Sequence, residues 1–363
     1  MKKALLKSSL ITFIFPIIFI FGGCSKTISD NQPPLTQPPT PVDTRTWKIS
    51  TVAGNGQEGN LDGADSTSSF KFPLYLSLDA SGNIFVGDMF NQVIRKISGH
   101  QVTTYFGKNT PGITPVFLGV KGLVVDKQNN IYDIEASFIR KIISSTSSSI
   151  LAGNLEQTVK DGQDTAARFN EITNLVLGTD NNFYLTDLDL TSKTIIRKVT
   201  MSGTVTTLNL KDNTGITSGS INGQMVYYQP MVIDKSGNIY FTANHNSLIK
   251  KVDINGNVTV FAGTTQKGTA DGKGTSAQFT LITSMTIASD GTIYLIDEEI
   301  NAVRKVAPDG TVTTLAGRNG PGYVDGDQFI AKFNYPYGIT ITDAGVLYIT
   351  DAVNNRIRKM EFK

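Results

Sequence analysis

The chain has 363 residues, with 33 Lys and Arg against 31 Asp and Glu, and a formal net charge of +2 at pH 7. A charge this close to neutral predicts no nucleic-acid partner, because proteins that bind nucleic acids present strongly basic surfaces. One cysteine and two histidines exclude a disulfide framework, a thiolate metal cluster and a three-histidine zinc site.

The first segment, residues 1–23, is predicted to be a lipoprotein signal peptide. Three lysines precede an apolar stretch at 10–21, which is short for a membrane-spanning helix. Gly22, Gly23 and Cys24 follow, and this order resembles the lipobox of bacterial lipoproteins, in which the cysteine is acylated. Cys24 is therefore the predicted lipidation site. An ordinary signal peptide followed by a chance cysteine is the alternative.

Residues 24–44 are predicted to form a tether. This segment is rich in Pro, Thr and Gln and contains few aliphatic residues, so it cannot build a core and favours extended conformations. Ser25 after the cysteine is compatible with sorting to the outer membrane. We therefore expect a propeller held outside the cytoplasm by a lipid anchor.

The remaining chain, residues 45–363, repeats with a period of about 50 residues, which is typical of β-propeller blades. Each copy contains a short segment of the Ile-Arg-Lys type, with Lys replacing Arg in the fourth copy. The central residues of these segments are Arg95, Arg140, Arg197, Lys250, Arg304 and Arg358. An all-β, six-bladed propeller of four-stranded antiparallel blades is the predicted fold.

Four copies share a fixed order of glycine, Asp-Gly, phenylalanine and an acid that ends a strand rich in aromatic and branched residues. The sixth copy lacks an outer strand before the chain ends at Lys363, whereas the segment 47–54 matches that strand and has no blade before it. We therefore predict that the N-terminal strand completes the C-terminal blade and closes the ring.

The segment 79–96, which begins Asp-Ala-Ser-Gly-Asn-Ile and ends Ile-Arg-Lys, resembles the repeat of NHL-repeat propellers. The resemblance covers essentially all of 45–363, and its style is similar to that of exported lipoproteins of Bacteroidota. Blade two departs from the pattern with a short loop before Phe117 that lacks Asp-Gly. Blade four departs with Met225 at the phenylalanine position.

An acid ends the second strand in five blades, and the same five blades carry the arginine. Blade four has Ala243 and Lys250 instead. Joint loss of both groups favours structural ion pairs within each blade, because removing one partner would leave a buried charge unpaired. The predicted pairs are Asp88 with Arg95, Glu135 with Arg140, Asp187 with Arg197, Asp297 with Arg304, and Asp351 with Arg358. A ring of carboxylates holding Ca²⁺ is the alternative, and related lactonases and lyases bind metals near the propeller axis.

The Asp-Gly loops are predicted to be structural, with each aspartate accepting N–H groups of its own loop and each glycine supplying the turn. Their aspartates are Asp62, Asp161, Asp271 and Asp325. The phenylalanines that follow are predicted to lie in the core between blades. A catalytic triad through His245 is another alternative, but no Gly-x-Ser-x-Gly motif accompanies it.

The two irregular blades break the symmetry of the ring, so their loops at 108–116 and 209–224 are the predicted recognition loops. Their candidate residues are Lys108, Asn109, Thr110, Asn213 and Asn222. We expect a monomeric, non-catalytic binding or scaffold module for a protein or glycan at the bacterial cell envelope, with no cofactor. A metal-assisted lactonase-like or lyase-like enzyme and a purely structural envelope protein are the alternatives.

Overall fold

The structure, a computed structural model, describes residues 46–112, 117, 119–135, 137–214 and 229–363. Cys24, the predicted tether, Asn222 and Met225 lie outside the described residues. Within these residues, no helix is both long enough and apolar enough to cross a bilayer. The helical content of the described ranges consists of short 3₁₀ turns at Met89–Asn91, Asp164–Ala166, Gly274–Ser276 and Glu298–Ile300.

The strands form six sheets, one for each predicted blade. The first strand, β1, is Trp47–Ala53. Blade 1 contains β2 (Gly63–Ala64), β3 (Pro73–Leu78), β4 (Ile84–Asp88), β5 (Val93–Ser98) and β6 (Gln101–Gly107). Blade 2 contains β7 (Leu123–Val125), β8 (Ile131–Glu135), β9 (Phe138–Ser144) and β10 (Ser147–Gly153). Blade 3 contains β11 (Gly162–Gln163), β12 (Glu171–Leu177), β13 (Phe183–Leu188), β14 (Thr194–Val199) and β15 (Thr204–Thr207).

The second half of the ring follows the same plan. Blade 4 contains β16 (Lys211–Asp212), β17 (Met231–Ile233), β18 (Ile239–Ala243), β19 (Leu248–Val252) and β20 (Asn257–Gly263). Blade 5 contains β21 (Gly272–Lys273), β22 (Ile282–Ile287), β23 (Ile293–Asp297), β24 (Ala302–Val306) and β25 (Thr311–Ala316). Blade 6 contains β26 (Gly326–Asp327), β27 (Pro336–Ile341), β28 (Leu347–Asp351) and β29 (Arg356–Phe362).

The N-terminal strand closes the ring, as the sequence predicts. β1 pairs antiparallel with β29 from Trp47 opposite Phe362 to Ala53 opposite Ile357. Its other edge pairs with β26, so β1 is held on both sides. Because β1 lies between β29 and β26, neither β29 nor β1 presents an unpaired edge where the ring closes.

The prediction of four strands in each blade misses a fifth strand that most blades contain. Every blade except blade 2 gains a short outer strand. In blades 1, 3, 5 and 6 this strand begins at the glycine of Asp-Gly and pairs antiparallel with the strand beside it. Blade 2 has no Asp-Gly, and blade 4 uses Lys211–Asp212, which pairs parallel with β20. The Asp-Gly loop is thus a strand-forming device, which explains its fixed spacing.

The core lies between neighbouring blades, where hydrophobic clusters combine residues from two sheets. One cluster, for example, joins Ile134 and Ile139 of blade 2 to Leu175 and Leu185 of blade 3. The repeated phenylalanines are fully buried at these junctions, which confirms their predicted role; they are Phe70, Phe169, Phe279 and Phe333. A blade therefore depends on its neighbours for burial, because one sheet cannot cover its own faces.

The two faces of the ring differ in their connections. One face carries the long connections between blades, such as residues 54–72, and the turns that follow β4 and the equivalent strands. We call it the loop face. The turn face carries the short hairpins, such as 79–83 and 99–100. The chain enters the propeller at the turn face, where Thr46 and Lys363 exchange backbone hydrogen bonds of 2.7 and 3.0 Å.

Candidate functional site

Four blades share an arginine clamp, defined by Arg95, Arg197, Arg304 and Arg358, whose side chains are fully buried. In blade 3, Arg197 donates to the backbone carbonyls of Arg168 and Lys160, both at 3.1 Å. It also donates to Asp187 at 3.0 Å and to Asp161 at 2.9 Å. Each guanidinium lies over the ring of the buried phenylalanine of its blade, at 5.1–5.2 Å from the centroid. The clamp therefore joins the outer loop, strand and core of one blade.

The acids predicted to pair with these arginines lie beside them within the same blade. The shortest oxygen–nitrogen distances are 3.2 Å in blade 1, 3.0 Å in blade 3, 2.9 Å in blade 5 and 2.5 Å in blade 6. Each acid also accepts backbone N–H groups where the first long strand begins, as Asp187 does from Asn170 and Glu171. Burial raises the pKa of Asp88 and of Asp187 to about 6, and the guanidinium and N–H donors oppose that rise.

The aspartates of the Asp-Gly loops have different partners from those predicted. Asp62 accepts from Arg95 at 2.8 Å and from the Thr104 hydroxyl at 3.0 Å, rather than from N–H groups of its own loop. In blade 6 the corresponding threonine is Thr51 of β1, which donates its backbone N–H to Asp325 at 3.1 Å. The prediction was wrong because the loop curls over its own sheet and places the carboxylate above the third and fourth strands.

In the two irregular blades, blades 2 and 4, the buried cation has different acidic partners. In blade 4, the fully buried Lys250 pairs with Asp212 at 2.7 Å, so the substituted cation keeps an acidic partner. In blade 2, Arg140 pairs with Glu135, and Asp133 lies directly across from Arg140 on the neighbouring strand. Burial raises the pKa of Asp133 well above its usual range. Blade 2 thus places one arginine beside two buried acids.

The predicted recognition residues are only partly described. Lys108 and Asn109 are exposed and Thr110 is half-buried at the start of the connection between blades 1 and 2, on the loop face. Asn213 is exposed immediately after β16. Residues 113–116, 118 and 215–228 lie outside the described residues, and with them Asn222. No contact places Lys108, Asn109 or Thr110 beside Asn213 among the residues described.

The loop face carries an aromatic cluster that the sequence analysis missed. We call it the aromatic mouth and define it by Phe72, Tyr75, Phe90, Tyr335 and Tyr337, which come from blades 1 and 6. Phe72 stacks on Phe90 with a centroid distance of 4.9 Å and lies 5.6 Å from Tyr335. Tyr335 stacks on Tyr337 at 6.5 Å, and Tyr337 meets Tyr75 edge-on at 5.8 Å. Phe90 is 58% exposed and Tyr335 is 37% exposed.

Two residues of the aromatic mouth have backbone conformations that are rare for aromatic residues. Phe72 and Tyr335 have φ values of 59° and 56°, which place bulky side chains in the left-handed region at a cost of about 1–2 kcal/mol each. Each backbone N–H donates to an asparagine of the preceding blade, from Phe72 to Asn355 at 3.0 Å and from Tyr335 to Asn301 at 2.7 Å. Neighbouring blades therefore hold both rings in place.

The aromatic mouth borders the central cavity of the ring. This cavity has a volume of about 330 Å³ and is lined by the innermost strands of all six blades, with Tyr75 and Tyr337 among its lining residues. Thr173, Asn174 and Thr283 add polar groups to the wall. The Oδ1 atom of Asn174 is buried without a hydrogen-bond partner in the described structure. Rings and polar groups thus meet at one end of a small cavity.

A buried acid lies in the blade 5 turn on the same face. Glu298 is 7% exposed and occupies the position that Met89 and Ala352 take in blades 1 and 6, where both pack with residues of the aromatic mouth. Burial, followed by the nearby charges of Glu299 and Asp297, raises the pKa of Glu298 to about 7. The folded protein therefore binds a proton here at mildly acidic pH that the unfolded chain has released.

We expect Glu298→Gln to leave stability nearly unchanged at pH 4.5 and to raise it by about 1–3 kcal/mol at pH 8. A raised carboxyl pKa contributes stability below the unfolded value, and that contribution is lost as pH rises through about 7. Urea unfolding of both proteins between pH 4.5 and 8 measures the difference. An equal offset at every pH would contradict the assignment. Glu156→Gln, which removes an acid that is 65% exposed in blade 3, is the control.

Among the described residues, no group of three or more His, Cys, Asp or Glu side chains is arranged to hold a metal ion. The five acids of the alternative calcium ring each pair with the arginine of their own blade.

Comparison with known proteins identifies relatives at the level of the fold. No family model matches the chain. Teneurin-3 of Danio rerio is 24% identical over 356 residues, which cover 85% of this chain but 13% of that protein. NHL repeat-containing protein 3 of Homo sapiens is 29% identical over 146 residues, which cover 39% of this chain and 38% of that protein. The chain thus matches only a minor part of either curated relative.

Solved structures from Bacteroides species share the architecture. A protein of unknown function from Bacteroides thetaiotaomicron superposes with a TM-score of 0.67 and 21% identity, covering 88% of this chain and 76% of that one. An auxiliary nutrient binding protein from Bacteroides ovatus gives a TM-score of 0.65 and 17% identity, with coverage of 88% and 77%. These similarities show that the chain has the six-bladed propeller fold of these proteins.

Proposed function

We propose that this protein is a non-catalytic binding module of the NHL-repeat type that captures a protein or glycan ligand on its loop face at the bacterial cell envelope. The aromatic mouth carries the proposal. It combines exposed rings, two strained backbone positions and a bordering cavity, and strain of this kind is concentrated at functional sites. The nutrient binding described for the Bacteroides ovatus protein is consistent with such a role.

The attachment of the chain is compatible with this use of the loop face. The chain enters the propeller at the turn face beside Lys363, opposite the aromatic mouth. We propose that an acyl chain on Cys24 and a tether at 24–44 hold a monomeric propeller on the outer membrane.

We expect Cys24→Ser to move the protein from the detergent phase to the aqueous phase in Triton X-114 partitioning. Acylation supplies most of the membrane affinity in this account, because each buried methylene contributes about 0.8 kcal/mol. The control is Ser25→Ala, which should remain in the detergent phase with the intact protein. Equal partitioning of the Cys24 variant and the intact protein would contradict lipidation.

The binding role is tested by cross-linking and pull-down from native envelopes with the full chain. We expect the intact protein to retain a saturable ligand and the Phe90→Ala/Tyr335→Ala variant to lose at least 90% of it. A second variant, with residues 108–112 and 209–214 replaced by glycine and serine, tests the recognition loops predicted from the sequence. Equal capture by the intact protein and the aromatic variant would contradict the proposed site.

A further inference from the structure

The aromatic mouth has a polar neighbour that suits a particular ligand chemistry. The side chain of Glu298 makes no hydrogen bond to the residues described, although Glu298 is only 7% exposed. Glu298 begins the 3₁₀ turn that ends at Asn301, and Asn301 accepts the backbone N–H of Tyr335 at 2.7 Å, so this acid lies in the turn that holds one ring of the mouth. Its carboxyl oxygens are not fully enclosed, so a ligand donor can reach them from solvent. A ligand for this place needs a hydroxyl or amine group beside an apolar surface.

The arrangement of the rings argues against a cage for an organic cation. Successive centroids are 4.9, 5.6 and 6.5 Å apart, distances at which aromatic rings contact one another directly. A cage instead surrounds its cation with separated ring faces. The exposed aromatic area belongs to Phe90 and Tyr335, so the cluster offers a platform on which a flat, weakly polar ring can stack.

The size of the surface argues against a protein partner. A stable protein interface buries about 800 Å² on each side. In the part of this face that the structure describes, the exposed apolar side chains of the mouth and its turns are those of Phe90, Tyr335 and Val353. Other exposed apolar side chains of blades 1 and 6, such as Leu61 and Phe329, lie in the loops around the outer strands β2 and β26. Three side chains present far less area than such an interface requires, whereas they are comparable in extent to one or two sugar rings.

The charges near the mouth favour a neutral ligand. The lysine beside Phe72 in sequence, Lys71, pairs with Glu58 at 3.2 Å. On the blade 5 side, Lys267 pairs with Glu299 at 2.5 Å. Both lysines are therefore already neutralised. Arg356 has no acidic partner among the residues described, but its guanidinium donates to the carbonyls of Asn354 and Asn55 and lies over the ring of Tyr323. Glu298 would repel a carboxylate or sulfate group once it is ionised.

We propose that the aromatic mouth binds a neutral glycan of at least two sugars, with separate pyranose rings stacked on Phe90 and on Tyr335 and a sugar hydroxyl hydrogen-bonded to Glu298. The C–H face of a pyranose supplies the apolar surface and its hydroxyls supply the donors. This inference rests on the proposed binding function and names its ligand class. The strained backbone of Tyr335 fits this role, since it holds the stacking ring in place before the ligand arrives.

Affinity electrophoresis of the full chain tests the proposal with four probes: soluble β-glucan, xylan, galactomannan and the anionic polygalacturonate. We expect at least one neutral polysaccharide, and not polygalacturonate, to retard the intact protein. Phe90→Ala/Tyr335→Ala is expected to weaken that binding at least 10-fold, and Glu298→Gln about 3-fold to 10-fold. The matched control is Phe329→Ala, which removes an aromatic ring that is 70% exposed outside the mouth and should bind normally.

Thermal unfolding of each variant shows whether the fold is retained, and Phe90→Ala alone serves if the double variant does not fold. Retention of a neutral polysaccharide with unchanged affinity by the mouth variants overturns the inference. Capture of an envelope protein through the mouth, without polysaccharide binding, also overturns it and leaves the proposed binding function standing. Failure to bind either polysaccharides or envelope components contradicts both.

Discussion

Replacing Arg197 by alanine is expected to lower the free energy of unfolding by about 3–5 kcal/mol, because it leaves buried acceptors without their donor. The fully buried guanidinium satisfies two backbone carbonyls and two carboxylates, and it covers the ring of Phe169. Asp187 is itself fully buried, so water cannot replace the lost donor without a change in packing. Chemical denaturation of the intact and variant proteins measures the loss.

Two controls separate the clamp from the general effect of removing an arginine. Arg318→Ala removes a side chain that is 55% exposed and pairs with Asp271, so its cost should stay below about 1 kcal/mol. Arg197→Lys keeps the charge and imitates Lys250 of blade 4, but one ammonium cannot reproduce the fork of the guanidinium. An intermediate cost is expected for it. Equal losses for Arg197→Ala and Arg318→Ala would contradict a structural role for the clamp.

Deleting residues 47–53 is expected to abolish the cooperative unfolding of the propeller, with a loss of more than about 5 kcal/mol, which is comparable to the whole stability of a typical domain. The deletion removes the buried side chains of Ile49 and Ala53 and exposes one edge of β29. It also removes Thr51, which donates to Asp325 beside the clamp of blade 6. Calorimetry and size-exclusion chromatography follow the loss of the closed ring.

The control is a deletion of equal length within the proposed tether, residues 33–39, which should leave the unfolding temperature unchanged. A synthetic peptide spanning residues 46–54 is expected to restore part of the lost stability, because it can add a strand to the exposed edge. A propeller that unfolds at the same temperature without β1 would contradict closure by the N-terminal strand.

The sequence predicts the ring because its repeat is long, regular and carried by residues with fixed positions in each blade. The missing sixth outer strand and the matching segment at 47–54 predict the closure by β1, since a strand without a blade must pair with a blade that lacks one. The partners of Asp62 and its equivalents were not predictable in the same way. Loop curvature decides whether a carboxylate meets its own backbone or a side chain about 33 residues along, as Asp62 meets Arg95.

The aromatic mouth was not predicted from the sequence, because the irregular loop lengths indicated blades 2 and 4 as the recognition site. A local signal was present in Phe72-Pro73 and Tyr335-Pro336, each placed two residues after a buried phenylalanine. Nothing in the sequence alone indicates that these rings adopt positive φ or that blades 1 and 6, which are far apart in the chain, bring them together. Ring closure creates the site, so a residue-by-residue interpretation could not find it.

The location of the ligand site is tested most directly by photo-cross-linking in intact cells, with benzoyl-phenylalanine at position 90 or position 254. Phe90 lies on the loop face, whereas Ile254, which is 75% exposed, lies in a hairpin of the turn face. We predict a specific cross-linked species from position 90, which an added neutral polysaccharide reduces by competition. No such species is expected from position 254. Cross-linking from position 254 alone would contradict the assignment of binding to the loop face.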